Sequence, residues 1–286
     1  MKLNSLLKRS INLVKTGKAV MNLRAADGVE EKERAKHYLM TLLGNGRGLP
    51  AKVGQFMAMG DEGPELRNTL NNSIPAMPFE EVRKLLEKAL GQPWKAVFKS
   101  IDKQGISASL GQVHFGQLID KREVAIKIQY PEIAEAVESE MDLLGWMPKV
   151  GPVAKWGFDM AGYRDVFWKS FNQELNYCHE VENQRRYHSL AAALQDVVIP
   201  QVIPEYCREN ILVQERVEGI SIDEAKELPP RQRQEIGRTL IRHYVHMIFR
   251  HGFVHSDPHP GNFALRKSAR GAFSLVIYDY GSILEI

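Results

Sequence analysis

The chain has 286 residues, of which 44% are hydrophobic, enough for a two-lobed globular unit with a substantial core. Its formal net charge is only +3, so nothing in the overall charge indicates a nucleic-acid-binding protein. No apolar run approaches the roughly 20 residues needed to cross a bilayer. No secretory signal is visible, and the two cysteines fit neither a disulfide framework nor a zinc-ligand spacing.

The N-terminal stretch is basic, with six Lys and Arg residues and no acidic residue from Met1 to Arg24. Its leucines, isoleucines and valines recur near helical spacing, which predicts a helix over 2–23 and a second over 32–43. A basic amphipathic helix can lie on an anionic membrane surface or can dock its apolar face on its own domain. The sequence favours these two interpretations about equally.

The middle of the chain is predicted to alternate helices and short strands, punctuated by Gly and Pro. In chain order, we expect a helix that opens after Pro50, a helix over 80–90, three strands between about 106 and 129, a helix over 131–147, a Gly- and Pro-rich connector at 148–162 and a long helix over 163–194.

The C-terminal third is predicted to hold strands over 202–205 and 211–215, a lobe boundary at Gly219, a helix over 231–250, and strands over 263–265 and 273–278. The helix carries His243 and His246, whose spacing of three would suit a pair of metal ligands. Because no third ligand accompanies them at a sensible spacing, ordinary hydrogen-bonded histidines are the favoured interpretation.

The most specific signal is a pair of polar loops near the C-terminal end. The first holds Asp257 and Asn262, and the second is Asp279-Tyr280-Gly281. An Asp, an Asn five residues later and a second Asp before an aromatic residue and a Gly form the arrangement that protein kinases use. In that role Asp257 would accept the proton of the attacking hydroxyl or position the nucleophile. Asn262 and Asp279 would hold Mg²⁺ against the phosphates.

The expected lysine of such a site lies upstream. Lys127 is the one charge in an apolar run, Val124 to Ile128, which matches the V-A-I-K strand whose lysine contacts the α- and β-phosphates. The segment before this strand is small and polar, as a loop over a nucleotide should be. It places Ala108 and Ser109 where a kinase would have glycines, so any phosphate cradle here would be stiffer.

Four segments together resemble the UbiB-type (AarF-like) atypical kinases, a family associated with ubiquinone and other isoprenoid-lipid metabolism. They are the K-x-G-Q segment from Lys52 to Gln55, the loop ending Gly111-Gln112-Val113-His114, the V-A-I-K strand at 124–127, and the D-P-H-P-G-N string at 257–262. The resemblance extends from about Leu42 to the C-terminus.

The resemblance implies an α+β, two-lobed protein-kinase-like fold with an N-terminal helical extension that packs over the active site. The second lobe is expected to be truncated, because the sequence ends a few residues beyond Gly281. The predicted domains are a basic extension at 1–48, a K-x-G-Q segment at 49–100, a kinase-like N-lobe with inserted helices at 101–218 and a partial C-lobe at 219–286.

The resemblance also implies roles for single residues. It makes Glu174 the acidic partner of Lys127, and it assigns Lys52 and Gln55 to a family-specific helix that is thought to block ordinary protein substrates. The backbone from Glu215 to Val217 matches the hinge that hydrogen-bonds adenine, while Ala108 and Ser109 belong to the loop over the nucleotide. The implied cofactors are ATP or ADP and Mg²⁺.

Two departures from the family pattern stand out. Asn176 replaces the Asp of the usual Glu-x-Asp motif that begins at Glu174, and this loss of charge could alter the metal site or the contact to the K-x-G-Q helix. Tyr280 replaces the usual Phe of the metal loop, which is a mild change.

The leading hypothesis is a Mg²⁺-dependent atypical kinase or ATPase that supports isoprenoid-quinone or lipid metabolism. The alternative is a nucleotide-gated, pseudokinase-like scaffold for lipid-biosynthesis or other partner enzymes, favoured by the Ala/Ser loop and Asn176. A weaker third option is a small-molecule phosphotransferase of the aminoglycoside-kinase type, in which the K-x-G-Q segment would have no purpose. The expected partners are the nucleotide, a membrane surface or isoprenoid lipid, and lipid-biosynthesis enzymes; no nucleic acid is expected. The expected location is the cytoplasm, peripheral to a membrane.

Overall fold

The computed structural model describes residues 76–108, 110–135, 137, 171–268 and 271–286, together with nine single positions between 15 and 38. The predictions for Lys52, Gln55 and Ser109 lie outside the described residues. So, wholly or mostly, do the helices predicted at 2–23, 32–43, after Pro50 and at 131–147, and the connector at 148–162.

The chain divides into two compact units, of which the first comprises 1–77, 104–113 and 129–169 and the second 78–103, 114–128 and 170–286. These divisions follow the packing of the chain, and the four domains predicted from the sequence stay predictions.

The α-helices that begin and end within the described residues are α1 (Phe79–Leu90), α2 (Tyr177–Leu190) and α3 (Pro230–His251). The strands in the same part of the chain are β1 (Phe98–Ile101), β2 (Ile106–Ser107), β3 (Gly111–Leu118), β4 (Glu123–Gln129), β5 (Val197–Val198), β6 (Ile211–Glu215), β7 (Ile220–Ser221), β8 (Phe253–His255), β9 (Phe263–Lys267), β10 (Phe273–Ile277) and β11 (Ile283–Glu285).

The first sheet of the second unit runs in the order β1, β3, β4, β6. β4 pairs antiparallel with β6, and the register sets Val124 opposite Glu215 and Lys127 opposite Leu212. Every residue of β4 after Glu123 is buried, so both faces of this strand are covered. Its β-branched, apolar sequence suits such a strand, and it leaves Lys127 as a charge enclosed by the fold.

Helix α1 is amphipathic, with Val82, Leu86 and Leu90 buried at a spacing of four residues. It ends at Gly91, whose positive φ of 68° is the left-handed conformation that glycine adopts without strain. The backbone N–H of Gly91 donates to the carbonyl of Glu87 and closes the last turn. The sequence prediction of a helix over 80–90 is confirmed.

The second sheet runs β5, β10, β9, β7, in which β9 and β10 form an antiparallel hairpin and β5 lies parallel to β10. A short pair, β8 with β11, lies beside the end of α3. Helices α2 and α3 enclose one hydrophobic core with these strands, and its buried members include Tyr187, Met247, Phe253, Leu265, Ile277 and Tyr280. This core fixes the loops that follow β8 and β10, which carry the predicted catalytic residues.

Two predicted elements are wrong. The single helix over 163–194 is interrupted, because Asn176 takes an extended conformation and its side-chain oxygen accepts a hydrogen bond from the backbone N–H of Cys178, 2.9 Å away. Asn176 therefore caps the start of a new helix, α2. The strand predicted over 202–205 is a single bridge between Val202 and Gln214, followed by a 3₁₀ turn at Pro204–Tyr206.

The described part of the first unit contains the Ala/Ser-rich loop. β2 pairs with the start of β3, and the N–H of Ala108 donates to the carbonyl of Gly111 at 2.8 Å, which closes the loop tightly. The side chain of Gln112 accepts from the N–H of Met77 at 2.6 Å and donates to its carbonyl at 3.4 Å. Because the Ala108 amide is used inside the turn, it cannot donate to a phosphate in this conformation.

Candidate functional site

The predicted lysine lies at the centre of a buried charge cluster in the second unit. The ammonium of Lys127 donates to the Oε1 of Glu180, and its Nζ lies 3.2 Å from the Oδ2 of Asp279. The Lys127 and Glu180 side chains are 11% and 4% exposed, while that of Asp279 is 39% exposed. Asp279 is therefore the member of this cluster that a ligand can reach from solvent.

The acidic partner of Lys127 is Glu180, so the expectation that it would be Glu174 is wrong. The carboxylate of Glu174 instead accepts a hydrogen bond from the hydroxyl of Ser282. Glu174 precedes the cap of α2, whereas Glu180 lies in the first turn of that helix. The two lie six positions apart, and the helix start at Asn176 decides which one turns toward Lys127.

A signal for Glu180 was present in the sequence. The buried positions of α2 are Tyr177, Glu180, Gln184 and Tyr187, spaced by three or four residues along one helical face. Once Asn176 is taken as a helix cap, Glu180 is the one acidic residue on that face. The continuous helix predicted over this segment concealed this pattern.

The electrostatics of the cluster reflect two carboxylates that share one ammonium. Burial by itself would lower the pKa of Lys127, but the charges of Asp279 and Glu180 outweigh it and raise that pKa, so Lys127 stays protonated. Burial and the charge of Asp279 raise the pKa of Glu180 to about 7, against the opposing effect of Lys127. The site thus carries an excess of negative charge, which a bound cation would relieve.

A second buried network lies beside the cluster and involves two glutamines. The Nε2 of Gln184 donates to the Oε1 of Gln214 and to the carbonyl of Pro200, both at 2.7 Å. The Nε2 of Gln214 reaches the carbonyl of Tyr278 at 3.4 Å. These bonds connect α2, β6 and the residue before Asp279, so the helix that carries Glu180 and the loop that carries Asp279 are held in one arrangement.

The predicted catalytic loop follows β8. The Nε2 of His255 lies 2.7 Å from the carbonyl oxygen of Asp279, and the Nδ2 of Asn262 donates to the carbonyl of Asp257 at 3.1 Å. The first bond joins the two predicted loops, and the second closes the segment between Asp257 and Asn262. The loop that holds Asp257 and Asn262 thus lies beside the loop that holds Asp279.

The geometry at Asp279 depends on the glycine two residues later. The Oδ1 of Asp279 accepts from the N–H of Gly281 at 3.0 Å. A Cβ atom at Gly281 would lie 3.3 Å from that same oxygen and 3.3 Å from the Cγ of Glu174, tighter than an ordinary contact. Glycine therefore allows the backbone to approach the carboxylate, which is the physical reason for the Asp-x-Gly pattern here.

The donor set suits a hard divalent cation. Asp279 supplies a half-exposed carboxylate, and Asn262 uses its amide nitrogen on Asp257, which leaves the amide oxygen as its ligand atom. Mg²⁺ prefers such oxygen ligands and usually binds through one or two protein groups plus substrate phosphates. No cluster of three or more His, Cys, Asp or Glu residues able to hold a metal occurs among the described residues.

The predicted hinge follows β6. The N–H of Arg216 donates to the carbonyl of Glu123 at 3.0 Å, which continues the pairing of β6 with β4. Val217 is buried, and its carbonyl accepts a hydrogen bond from the hydroxyl of Tyr278 at 2.8 Å. Glu215 and Val217 therefore lie at the end of the strand that runs beside Lys127.

The histidines behind the site form hydrogen bonds, as favoured from the sequence. The Nε2 of His243 lies 2.7 Å from the hydroxyl of Tyr187, while His246 pairs with His251 at 3.2 Å. Burial, with smaller contributions from His255 and His246, lowers the pKa of His243 to about 4. His243 is a neutral core histidine that supports the ring of Tyr187.

Comparison with known proteins agrees with this geometry. The family model of the ABC1 atypical kinase-like domain matches residues 69–286, so the chain belongs to that family. It is 31% identical over 82% of its length to the Atypical kinase coq-8, mitochondrial, of Caenorhabditis elegans, covering 32% of that protein. It is 30% identical over 87% of its length to AarF domain-containing protein kinase 1 of Xenopus laevis, covering 49% of it. The chain thus spans about a third to a half of these curated relatives.

Among solved structures, the complex of Rv3197 with erythromycin from Mycobacterium tuberculosis matches with a TM-score of 0.63 and 29% identity, over 90% of this chain and 66% of that one. The mixed helix-and-sheet, kinase-like fold and the resemblance to the UbiB type are confirmed. In the part of the chain that the structure describes, no helix is both long and apolar enough to traverse a bilayer.

Proposed function

We propose that this member of the ABC1 atypical kinase-like family binds ATP or ADP with Mg²⁺ and transfers the terminal phosphoryl group to an acceptor or to water. The observation that carries the proposal is the cluster of Lys127, Glu180 and Asp279, next to the loop that holds Asp257 and Asn262. A lysine held by a glutamate, beside an aspartate that can ligate Mg²⁺, is the arrangement required for phosphoryl transfer in kinases.

Each residue of the site has a task in this reaction. Glu180 holds the ammonium of Lys127 in place, and Lys127 neutralises charge on the α- and β-phosphates. Asn262 and Asp279 supply the oxygen atoms that would hold the metal. Mg²⁺, when bound, offsets negative charge on the phosphate oxygens. Asp257 accepts the proton of the attacking hydroxyl or orients a water molecule, and the backbone from Glu215 to Val217 receives the base.

The biological role that we propose is support of isoprenoid-quinone or lipid metabolism, at the cytoplasmic side of a membrane surface. It rests on the resemblance of the motifs to the UbiB type and on the similarity to the coq-8 atypical kinase. The amphipathic, basic stretch from Met1 to Arg24 would supply the membrane contact.

A second candidate is the nucleotide-gated scaffold. One observation favours it: the amide of Ala108, in the loop expected over the nucleotide, is already bonded to the carbonyl of Gly111. A scaffold would bind nucleotide at Lys127 and Asp279 without turning it over.

The test measures thermal stability with ATP and with ADP, each with and without Mg²⁺, together with steady-state phosphate release. A ligand at a hundred times its Kd adds about 2.7 kcal/mol of stability. We expect a Mg²⁺-dependent shift that Asp279→Asn abolishes. The matched control, Asp257→Asn, should keep the shift and lose phosphate release by about 10²–10⁴-fold. Binding without any release in the unmodified protein would favour the scaffold, and no shift with any nucleotide would contradict both proposals.

A further inference from the structure

Tyr278 connects the metal loop to the hinge. It directly precedes Asp279, and its hydroxyl donates to the carbonyl of Val217 at 2.8 Å. Its own carbonyl lies 3.4 Å from the Nε2 of the buried Gln214. The side chain therefore extends from the residue beside the Lys127 cluster to the end of β6, and both ends of Tyr278 are held.

The surroundings of this ring are apolar. Tyr278 and Val198 are half-buried and pack against a cluster formed by Val217, Ala264 and Val276. Ala264 has a small side chain, so the phenol ring supplies much of the apolar surface next to Val217.

The register of the sheet sets the distance over which a nucleotide would extend. Glu215 lies opposite Val124, three residues from Lys127 along β4, which is a separation of roughly 10 Å at about 3.3 Å per residue. The proposed nucleotide site therefore has two ends: the phosphates lie at Lys127 and Asp279, and the base lies at Glu215 to Val217. Tyr278 extends between these ends, since it is adjacent to Asp279 and bonded to Val217.

We propose that Tyr278 determines the base specificity of the nucleotide site: its ring is the floor on which the base stacks, and its hydroxyl occupies the Val217 carbonyl that a purine 2-amino group would need. The inference rests on the proposed nucleotide site. A purine with a 2-amino group, such as guanine, would then have no acceptor for that group at this edge of the pocket. Burial of an unpaired hydrogen-bond donor weakens binding. Adenine has no 2-amino group and meets no such conflict.

The test compares two nucleotides that differ only in that group, ATP and the triphosphate of 2,6-diaminopurine riboside, by isothermal titration calorimetry with Mg²⁺. In the unmodified protein, we expect ATP to bind about tenfold more tightly than its 2-amino analogue. In Tyr278→Phe, the carbonyl of Val217 is released while the ring remains. The ratio of the Kd of the 2-amino analogue to the Kd of ATP should then fall to about one or below.

Two further variants separate the ring from the hydroxyl. Tyr280→Phe removes a hydroxyl that donates to the carbonyl of Ile277 in the core, so this matched control should keep the ratio of the unmodified protein. Tyr278→Leu removes the stacking surface and should weaken both nucleotides by about tenfold or more, since base–aromatic stacking contributes measurably to affinity.

An unchanged ratio in Tyr278→Phe would overturn the assignment of the hydroxyl. Tighter binding of both nucleotides in Tyr278→Leu would show that the ring blocks the site, which also overturns the proposal. Neither result would affect the proposed nucleotide site. Absence of binding by the unmodified protein would instead refute that site, and this inference with it.

Discussion

The charge cluster around Lys127 and the loop from Asp257 to Asn262 are built in opposite ways. Lys127 and Glu180 are almost fully enclosed, and the neighbouring glutamines are bonded to each other and to the backbone. The loop is half-buried or exposed, and its side chains bond mainly to its own backbone, as Asn262 does to the carbonyl of Asp257. The cluster is thus enclosed by the fold, whereas the loop is open to solvent.

This difference indicates which residues can be changed without loss of structure. Removal of one partner of a buried ion pair destabilises the fold strongly when the remaining charge stays poorly solvated. A half-exposed carboxylate can be re-solvated at little cost. Mutations in the cluster should therefore change both stability and activity, and mutations in the loop should change activity alone.

The largest effect is expected for Glu180→Ala. It removes the carboxylate that accepts from the ammonium of Lys127 and from the backbone N–H of Tyr280, so it should lower the free energy of unfolding by about 2–4 kcal/mol. The measurement is urea denaturation at neutral pH. Glu174→Ala is the matched control and should lower it by about 1–2 kcal/mol, since it removes a hydrogen bond to Ser282. Equal losses in the two variants would contradict the assignment of Glu180.

A smaller effect is expected from pH, through the buried His243. Its folded-state pKa of about 4 lies below the ordinary 6.5, so the unfolded chain binds a proton more readily. The stability that depends on neutral His243 is complete above about pH 6.5 and is lost as the pH falls toward 4. At pH 5 the loss should be about 2 kcal/mol relative to pH 7.

The variant His243→Gln should flatten this dependence. The imidazole of His243 faces Tyr187, Tyr244, His255 and His246, and burial also lowers the pKa of His255, so some slope will remain. Denaturation curves at a series of pH values between 7 and 5 provide the test. If the variant and the unmodified protein lose stability in parallel over this range, His243 is not the group that titrates.

The smallest effect on stability is expected for Asp257→Asn, in the exposed loop. Because the backbone carbonyl of Asp257, and not its carboxylate, accepts the bond from Asn262, the change should alter the free energy of unfolding by about 0.5 kcal/mol or less. Urea denaturation of Asp257→Asn and of Glu180→Ala, run in parallel, measures the difference between their free energies of unfolding. A loss of several kcal/mol would mean that the loop is as much a part of the folded core as the cluster is.

Much of the site could be predicted from the sequence, because its chemistry depends on short motifs. Lys127 in its apolar strand, and Asp257, Asn262 and Asp279 in their loops, were identified from residue type and spacing. The structure brings Lys127 to Asp279 and the loop of Asp257 and Asn262 to the same place. Helix α1 and the β9–β10 hairpin were also predictable, since their periodicity and turn residues are local signals.

The partner of Lys127 was not predictable in the same way. Glu174 and Glu180 lie in one segment, and the choice between them depends on a helix that begins at Asn176 instead of continuing through it. The role of Tyr278 was likewise hidden, because its hydrogen bond to Val217 joins residues 61 positions apart. The bond of Tyr278 has no local signature, and the helical face that carries Glu180 becomes visible only once Asn176 is taken as the helix cap.

The residue types and spacings of the motifs are set along the chain, so they alone were enough to indicate the kinase-like family. Which of these side chains contact one another depends on the tertiary structure. Lys127 contacts Glu180 at a separation of 53 residues and Asp279 at a separation of 152. Pairings of this kind depend on the register of β4 and β6 and on the packing of α2 against the core, which form only when distant segments bury their apolar faces together.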